Sequence, residues 1–420
     1  MLPEALNARC FCLSVDREDL NSALATASGD AFVAAEFAVT HPHLFSAVAT
    51  FLSVSILDQM RSIVHALERV AALPAYVEAV LEYAPEIARK DHGPSGVFMG
   101  YDFHLDASGP RLIEINTNAG GAFLNAILAK VQRRCCGAQS ARISPPHGFG
   151  AALEDMFRRE WQSQRAAEPL RRIAITDDRP QEQYLYPEFV IAREMLRDCG
   201  FEVLIVDGAD FRHADGRLIA DGHPVDLVYN RLTDFALEEP AHEALRNAYS
   251  AGDVVLSPNP FNHAVHADKR NLVVLSDAER LARLGADAAT LETLAAAIPR
   301  TVMVTRDNAD ELWAGRKDLF FKPAKGFGSK GAFRGDKLTR STWAQIVGDE
   351  SFIAQTFVPP STRMMRIDGE TVLRKVDVRL YTYRGEPLLV ASRVYQGQTT
   401  NMRTPGGGFA PVLLVDPPGE

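Results

Sequence analysis

Apolar residues recur at two spacings along the chain, and the change of spacing divides it. Between Val54 and Val80, Ile56, Leu57, Met60, Ile63, Val64 and Leu67 repeat at helical intervals, which predicts an amphipathic helix. The Leu73-Pro74 step breaks it, because proline lacks a backbone donor and clashes with the preceding turn. Residues 1–89 read as mostly helical and carry little chemistry. After a turn at Gly93–Gly96 the period shortens. Val97–His104 reads as a strand and Asp106–Gly109 as a turn. Leu112, Ile113 and Ile115 then form a buried strand, with Glu114 and Asn116 together on its other face. Gly120-Gly121 opens a helix over Ala122–Gln132 whose N-terminus is placed to face an anionic group.

From Arg172 the pattern is strand, helix, strand: an apolar run ending in Asp177-Asp178, an amphipathic Tyr184–Asp198, then Phe201–Asp207. That order implies parallel strands joined by a crossover helix. A hairpin-like pair near 210–224 and a strand over Val225–Leu232 complete a small α/β unit. Open parallel sheets bind ligands beyond the carboxyl ends of their strands. Asp177, Asp178, Asn230 and Arg231 lie at such ends. Arg231 is suited either to a bidentate grip on a substrate carboxylate or to a salt bridge with a loop acid.

The last part holds the densest chemistry. Leu319–Phe321 is an apolar strand ending on Lys322-Pro323. A loop with Gly326, Gly328 and Gly331, and with Lys325 and Lys330 between them, follows. Glycines let backbone N–H groups approach an anion, and lysines neutralise it. The spacing matches neither G-x-x-x-x-G-K-[ST] nor G-x-G-x-x-G, so the loop alone also reads as a plain turn. Phe352–Pro359 is a short strand with a Pro-Pro stop. Two strands joined at Arg384-Gly385 come next, in which Val376, Val378 and Leu380 alternate with Asp377, Arg379 and Tyr381. The polar face is either a cross-paired surface or a metal ligand beside a phosphate clamp.

Composition acts mainly by exclusion. The 420 residues allow two or three domains, and 46% hydrophobic with 24% charged content is that of a globular protein. A net charge of −9 argues against general nucleic-acid binding. No apolar run is long enough for a bilayer, and the N-terminus lacks a secretion signal, so a cytoplasmic protein is expected. The 5 cysteines include no C-x-x-C pair and fit reduced thiols. Cys10, Cys12, His41 and His43 do not follow a zinc spacing.

Taken in order, the strand lysine with its glycine loop (Lys322 to Gly331), the AQTFVP stretch (Ala354 to Pro359), the D-x-R strand (Asp377, Arg379) and the run from Gly385 to Gly408 resemble the ATP-grasp fold, glutathione synthetases in particular. In that family an E-x-N strand follows the D-x-R strand. Here it lies upstream, at Glu114-Ile115-Asn116. The resemblance therefore implies a circular permutation like that of eukaryotic glutathione synthetases. It implies an α/β (α+β) architecture. Residues 1–170 would be a helical region plus the permuted metal strand, 171–262 a small α/β substrate domain, and 263–420 the nucleotide-binding subdomains.

The implied activity is ATP-dependent ligation, with Mg²⁺, of a small carboxylic acid or short peptide to an amine through an acyl phosphate. A homodimer is compatible with the family. Lys322 would contact the α/β phosphates, Lys330 and Gly328 to Gly331 the γ-phosphate, and Gln355, Thr356, Phe357 and Val358 the adenine. Arg306 would be a second basic contact, with Lys269 a further candidate. Asp377, Glu114 and Asn116 would hold Mg²⁺, and Arg379 and Arg393 would stabilise the transferred phosphoryl group. Asn401, Gly406, Gly407, Arg231 and Asp102 would shape the substrate end. The insert 361–373 reads as decoration or as a lid. Two departures stand out: Gly100-Tyr101-Asp102-Phe103 lacks the arginine of the eukaryotic Arg-x-Asp-Tyr motif, and the glycine loop lacks their metal-binding glutamate. A small-molecule kinase and a nucleotide-binding scaffold without turnover are the alternatives.

Overall fold

The computed structural model describes residues 2–29, 35, 37, 39–132, 142–143, 148–165, 168–324, 326, 331–349 and 351–415. The architecture is mixed α/β, and its largest sheet joins the two ends of the chain. The strand order there is Gly408–Ala410, Glu386–Tyr395, Glu370–Tyr383, Met99–Asp106, Gly109–Asn116. Glu370–Tyr383 is 14 residues long and serves two neighbours on one side. Its first half pairs with Ser361–Ile367, and its second half pairs with the early hairpin, Val378 against Phe103 and Thr382 against Met99.

Strand alternation gives this sheet two unlike faces. Tyr101, Phe103, Leu112, Ile115, Val378 and Leu380 pack against Met60, Ile63, Val64 and Leu67 of the helix Val54–Ala71. Asp102, His104, Glu114, Asn116, Arg379 and Arg393 line a cavity on the other side. One irregularity breaks the predicted alternation. The register shifts between Asp102 and Phe103, so that Asp102 faces Glu114 while Phe103 faces Leu112. The extra residue, Ile113, lines the cavity instead of joining the buried face.

The helical repeat ends at Ala71, and Pro74 starts a new helix, Pro74–Leu81, at a first-turn position where it costs no hydrogen bond. Residues 1–89 are not all helix. Thr50–Ser53 is a strand and pairs in parallel with Val412–Val415. Four apolar-to-polar residues carry no usable period, so this strand is invisible until its partner is known.

A parallel sheet of order Val255–Ser257, Leu227–Asn230, Arg172–Asp177, Glu202–Asp207 forms the second wall. The expected hairpin near 210–224 is a three-stranded meander. An antiparallel sheet of order Thr301–Met303, Phe352–Thr356, Leu319–Pro323, Phe333–Arg334 forms the third. Both predicted hairpin turns place two residues in the left-handed region, Asp368-Gly369 at φ 51° and 85° and Arg384-Gly385 at φ 50° and 78°. Segment 361–373 is thus an edge of the main sheet. Arg363 anchors it, donating to the carbonyls of Asn7 and Ala49 at 2.9 Å. Among the described residues no helix is long and apolar enough to cross a membrane.

One buried carboxylate ties these layers together. Glu160, on the helix Phe149–Gln164, is 0% exposed. It accepts from the backbone N–H groups of Ser95 at 3.0 Å and Gly96 at 2.9 Å, from Ser257 Oγ at 2.5 Å and from the Tyr383 hydroxyl at 2.9 Å. Glu160→Ala strands these donors, and the urea midpoint is expected to fall by the equivalent of ~3 kcal/mol or more.

Candidate active site

The three sheets enclose a cavity of about 520 Å³. Its floor is a charged ladder across the main sheet. Arg379 grips Asp102 with two parallel bonds, Nε to Oδ1 at 2.6 Å and Nη2 to Oδ2 at 2.7 Å. Arg393 reaches the same carboxylate through Nη2 at 2.9 Å and donates through Nε to Asp377 at 2.6 Å. Thr400 Oγ1 donates to the other oxygen of Asp377 at 2.5 Å, and Asn116 Nδ2 to Asp102 at 3.2 Å. Asp102, Asp377, Arg379 and Arg393 are all buried. Burial alone would raise the Asp102 carboxyl, but the Arg379 and Arg393 guanidiniums outweigh it and hold the group at about 2.

Two lysines stand above this floor. Lys322 Nζ donates to the Ile113 carbonyl at 2.7 Å and to Gln355 Oε1 at 2.9 Å. The bulge at Ile113 is what presents that carbonyl. Lys269 Nζ donates to the Gly326 carbonyl at 2.6 Å and pairs with Glu114 Oε1 at 3.1 Å. Burial draws Lys322 down from 10.5 to about 8, against the pull of Glu114. For Glu114, burial acts upward, yet Lys269 and Lys322 hold it below the usual carboxylate range.

The parallel sheet supplies the opposite side. Asp177 and Arg231 line the cavity from strand ends, as expected. Burial pushes the Asp177 carboxyl up to about 6, with Arg231 opposing. Arg231 Nη1 donates to the Asn118 carbonyl at 2.7 Å, and Nη2 lies 3.8 Å from Glu188. The acid beside Arg231 is therefore on the helix Tyr186–Asp198 and not on a loop. Asp178 does not line the cavity. It binds His242 Nε2 at 2.8 Å, while Asp234 binds Nδ1 at 2.8 Å. Burial lowers His242, but those two carboxylates prevail and raise it to about 9. Asp178, Glu239 and His242 bring ligand atoms within 4.8 Å of one another. A protonated imidazole has no lone pair for a metal.

Several expected roles change. Asp377 is buried off the cavity, and both its oxygens are taken by Arg393 and Thr400, so it positions an arginine and is not available as a metal ligand. Asp102 accepts from three side chains and is likewise a positioning group. Arg306 is exposed on the turn after Thr301–Met303 and does not line the cavity. Asn401 is exposed and accepts from the Arg403 N–H at 2.8 Å. Gly406 accepts from Ser46, and Gly407 donates to the Thr404 carbonyl within a turn. Gln398, Thr399, Thr400 and Met402 line the cavity in their place. The Gln355 amide is buried, accepting from Lys322 and donating to Thr301 at 3.3 Å. Thr356, Phe357 and Val358 line the cavity. Gly331 sits in a turn with φ 71° and does not line it. Lys325, Gly328 and Lys330 lie outside the described residues.

Glu188 and His104 are missing from the sequence reading. Glu188 accepts from the Gly121 N–H at 2.7 and 2.9 Å and from Phe123 at 3.2 Å. It caps the helix Ala122–Val131, so the chain itself fills the N-terminus expected to face a substrate anion. Burial pushes this carboxyl up. A lone acid inside the apolar run Phe189–Ala192 and its neighbours is the signal that marks it. His104 follows Asp102 by two residues and shares its face.

No protein-family model matches the sequence, and no curated protein matches it. The fold is similar to that of a glutathione synthetase-like effector from Globodera pallida. The TM-score is 0.57 at 10% sequence identity, over 96% of this chain and 98% of that one. A likeness at this identity shows a shared fold and leaves activity to the site. A protein provisionally named a gamma-glutamylcysteine synthetase, from Methylobacillus flagellatus KT, aligns with a TM-score of 0.46 and 14% identity over 85% of this chain and 86% of that one. That score is too low to argue from.

Asp102→Asn removes the charge that two buried guanidiniums share. A loss of ~3–5 kcal/mol in urea unfolding at neutral pH is expected. The folded value of about 2 lies below the ordinary 3.8. The stability due to Asp102 is thus present above that ordinary value and lost as pH falls through the folded one. The gap between wild type and Asp102→Asn should narrow over that window.

Proposed function

We propose that the chain is an ATP-dependent carboxylate–amine ligase of ATP-grasp type, with the metal strand permuted to the front. The observation that carries this reading is one of assembly. Glu114 and Asn116 from an early strand meet Lys269, Lys322, Arg379 and Arg393 from much later in the chain in a single cavity. A triphosphate needs clustered cations, and Mg²⁺ prefers a carboxylate and an amide oxygen. Asn116 uses Nδ2 toward Asp102, which leaves its amide oxygen for a metal. Glu114 and Asn116 would hold the ion, whose charge helps neutralise the phosphates during transfer. Asp377 serves Arg393 instead.

Lys322 and Lys269 bind the phosphates. Phe320, Phe357 and Val358 form the base side of the cavity. Arg379 and Arg393, fixed by Asp102 and Asp377, face the group in transfer. A substrate carboxylate oxygen attacks the γ-phosphorus, and the bond from that phosphorus to the bridging oxygen breaks, releasing ADP. The amine nitrogen then attacks the acyl carbon, phosphate leaves, and the nitrogen gives up a proton. Placement and charge supply the rate, without a protein nucleophile. On this reading residues 171–262 present the acid, with Arg231 beside its carboxylate.

ADP release with Mg-ATP across a panel of carboxylic acids, with and without amines, tests the reaction. A ligase requires both substrates, and Glu114→Ala and Lys322→Ala should each lose at least ~100-fold in turnover. Turnover by an acid or alcohol without an amine would indicate a kinase. ATP binding with no turnover would indicate a scaffold.

Nucleotide affinity should also depend on pH. Lys322 at about 8 is charged at neutrality. A bound polyphosphate favours the charged form and raises its value, so binding takes up a proton at higher pH. Calorimetry should show full affinity below that value and a decline as pH rises through it. Lys322→Met should flatten the profile.

A further inference from the structure

The connection from the antiparallel sheet to the main sheet runs through Gln355–Val358, and several of its polar groups are already committed. Thr356 N–H donates to the Arg300 carbonyl and Phe357 N–H to the Asp318 carbonyl, both at 2.8 Å. The Gln355 amide is held by Lys322 and Thr301. The Val358 carbonyl takes His104 Nδ1 at 2.6 Å. Phe320 and Phe357 stack here with centroids 6.4 Å apart and planes 19° apart, and the Arg334 guanidinium lies 4.5 Å from the Phe357 ring centroid. His104 lines the same cavity as these two rings.

The geometry fixes the tautomer. A carbonyl oxygen only accepts, so Nδ1 carries the hydrogen and Nε2 of the neutral ring carries a lone pair. His104 lines the cavity, and among the described residues its Nε2 has no hydrogen-bond partner. Burial lowers its pKa below 6.5, with Lys322 and Arg393 adding to the shift while Asp377 and the Val358 bond oppose it. The ring is therefore neutral at neutral pH.

We propose that His104 selects the nucleotide base, its Nε2 accepting a hydrogen bond from an exocyclic amino group, so that adenine is favoured over a purine with a carbonyl at that position. The inference rests on the reading of this cavity as an ATP site. A base carbonyl in that place would set two acceptors against each other and leave both desolvated. ATP and inosine triphosphate differ at that group and at the adjacent ring nitrogen, which carries a hydrogen in inosine, while the sugar and triphosphate are identical, so contacts of Lys322 and the other cations cancel in their ratio.

Calorimetry with both nucleotides and Mg²⁺ tests the inference on wild type, His104→Gln and His104→Leu. The wild type should prefer ATP by ~10-fold or more. His104→Gln, which keeps an acceptor oxygen, should retain most of the preference, and His104→Leu should bring the ratio near one. A pH series on the wild type reads the same group without mutation. Protonation turns Nε2 into a donor, so the preference should shrink once the pH falls below the lowered pKa of the ring. If ATP binds but its ratio to inosine triphosphate is unchanged by His104→Leu and by acid, the inference is overturned and the ATP reading survives. If neither nucleotide binds the wild type, the ATP reading falls and the inference falls with it.

Discussion

The cavity depends on one electrostatic constraint: two guanidiniums and two carboxylates buried together on a sheet face. A buried charge is tolerated only when paired and hydrogen-bonded. Arg379 and Arg393 satisfy that demand by clamping Asp102 and Asp377, which lie on different strands. The clamp holds the early hairpin against the long strand Glu370–Tyr383 through side chains as well as backbone. It also holds the arginine forks still, since every Nε is committed to an acid. Lys269 and Lys322 then add positive charge above a floor that is already balanced. An anion entering the cavity meets preoriented donors and does not have to reorganise them.

The opposite wall follows a different logic. Its helix N-terminus at Gly121 is quenched from within by Glu188. Arg231 lines the cavity on that side, and its guanidinium lies 5.8 and 5.7 Å from the ring centroids of Phe189 and Tyr229. Those ring contacts, with the Asn118 carbonyl and Glu188 at its edge, hold the arginine in place.

Much of the frame is legible in the sequence because it rests on local period. Alternation along 376–381 puts Asp377, Arg379 and Tyr381 on one face, and the same rule puts Glu114 beside Asn116. The β–α–β order gives the parallel sheet, and Asp-Gly and Arg-Gly pairs give the two hairpin turns. What escapes is set between strands. The bulge at Ile113 is a register event, visible only when Met99–Asp106 is laid beside Gly109–Asn116. Asp377 meets Arg393 across the sheet, and the Gln355 amide is engaged by Lys322 and Thr301, pairings that only the folded sheet reveals. Thr50–Ser53 is too short to show a period. Asn401 and its neighbours Thr399, Thr400 and Met402 are alike in sequence terms, and only the curl of the loop decides which of them turns inward.

The order of strands in the main sheet has a consequence for synthesis. Met99–Asp106 and Gly109–Asn116 have their permanent neighbour in Glu370–Tyr383, and Thr50–Ser53 has its own in Val412–Val415. As the chain leaves the ribosome, the early hairpin emerges with the Met99–Asp106 edge open and must wait for more than half the protein before that edge is covered. Loop closure over such a span is slow, and an open strand edge is a template for pairing with other chains. The parallel unit at 172–257 can fold in the interval, so the nascent protein passes through a stage with one finished sheet and one waiting strand pair. The helix Val54–Ala71, packed on the apolar back of the hairpin, precedes it in the chain and is already made when the hairpin emerges, so it can cover that face during the wait.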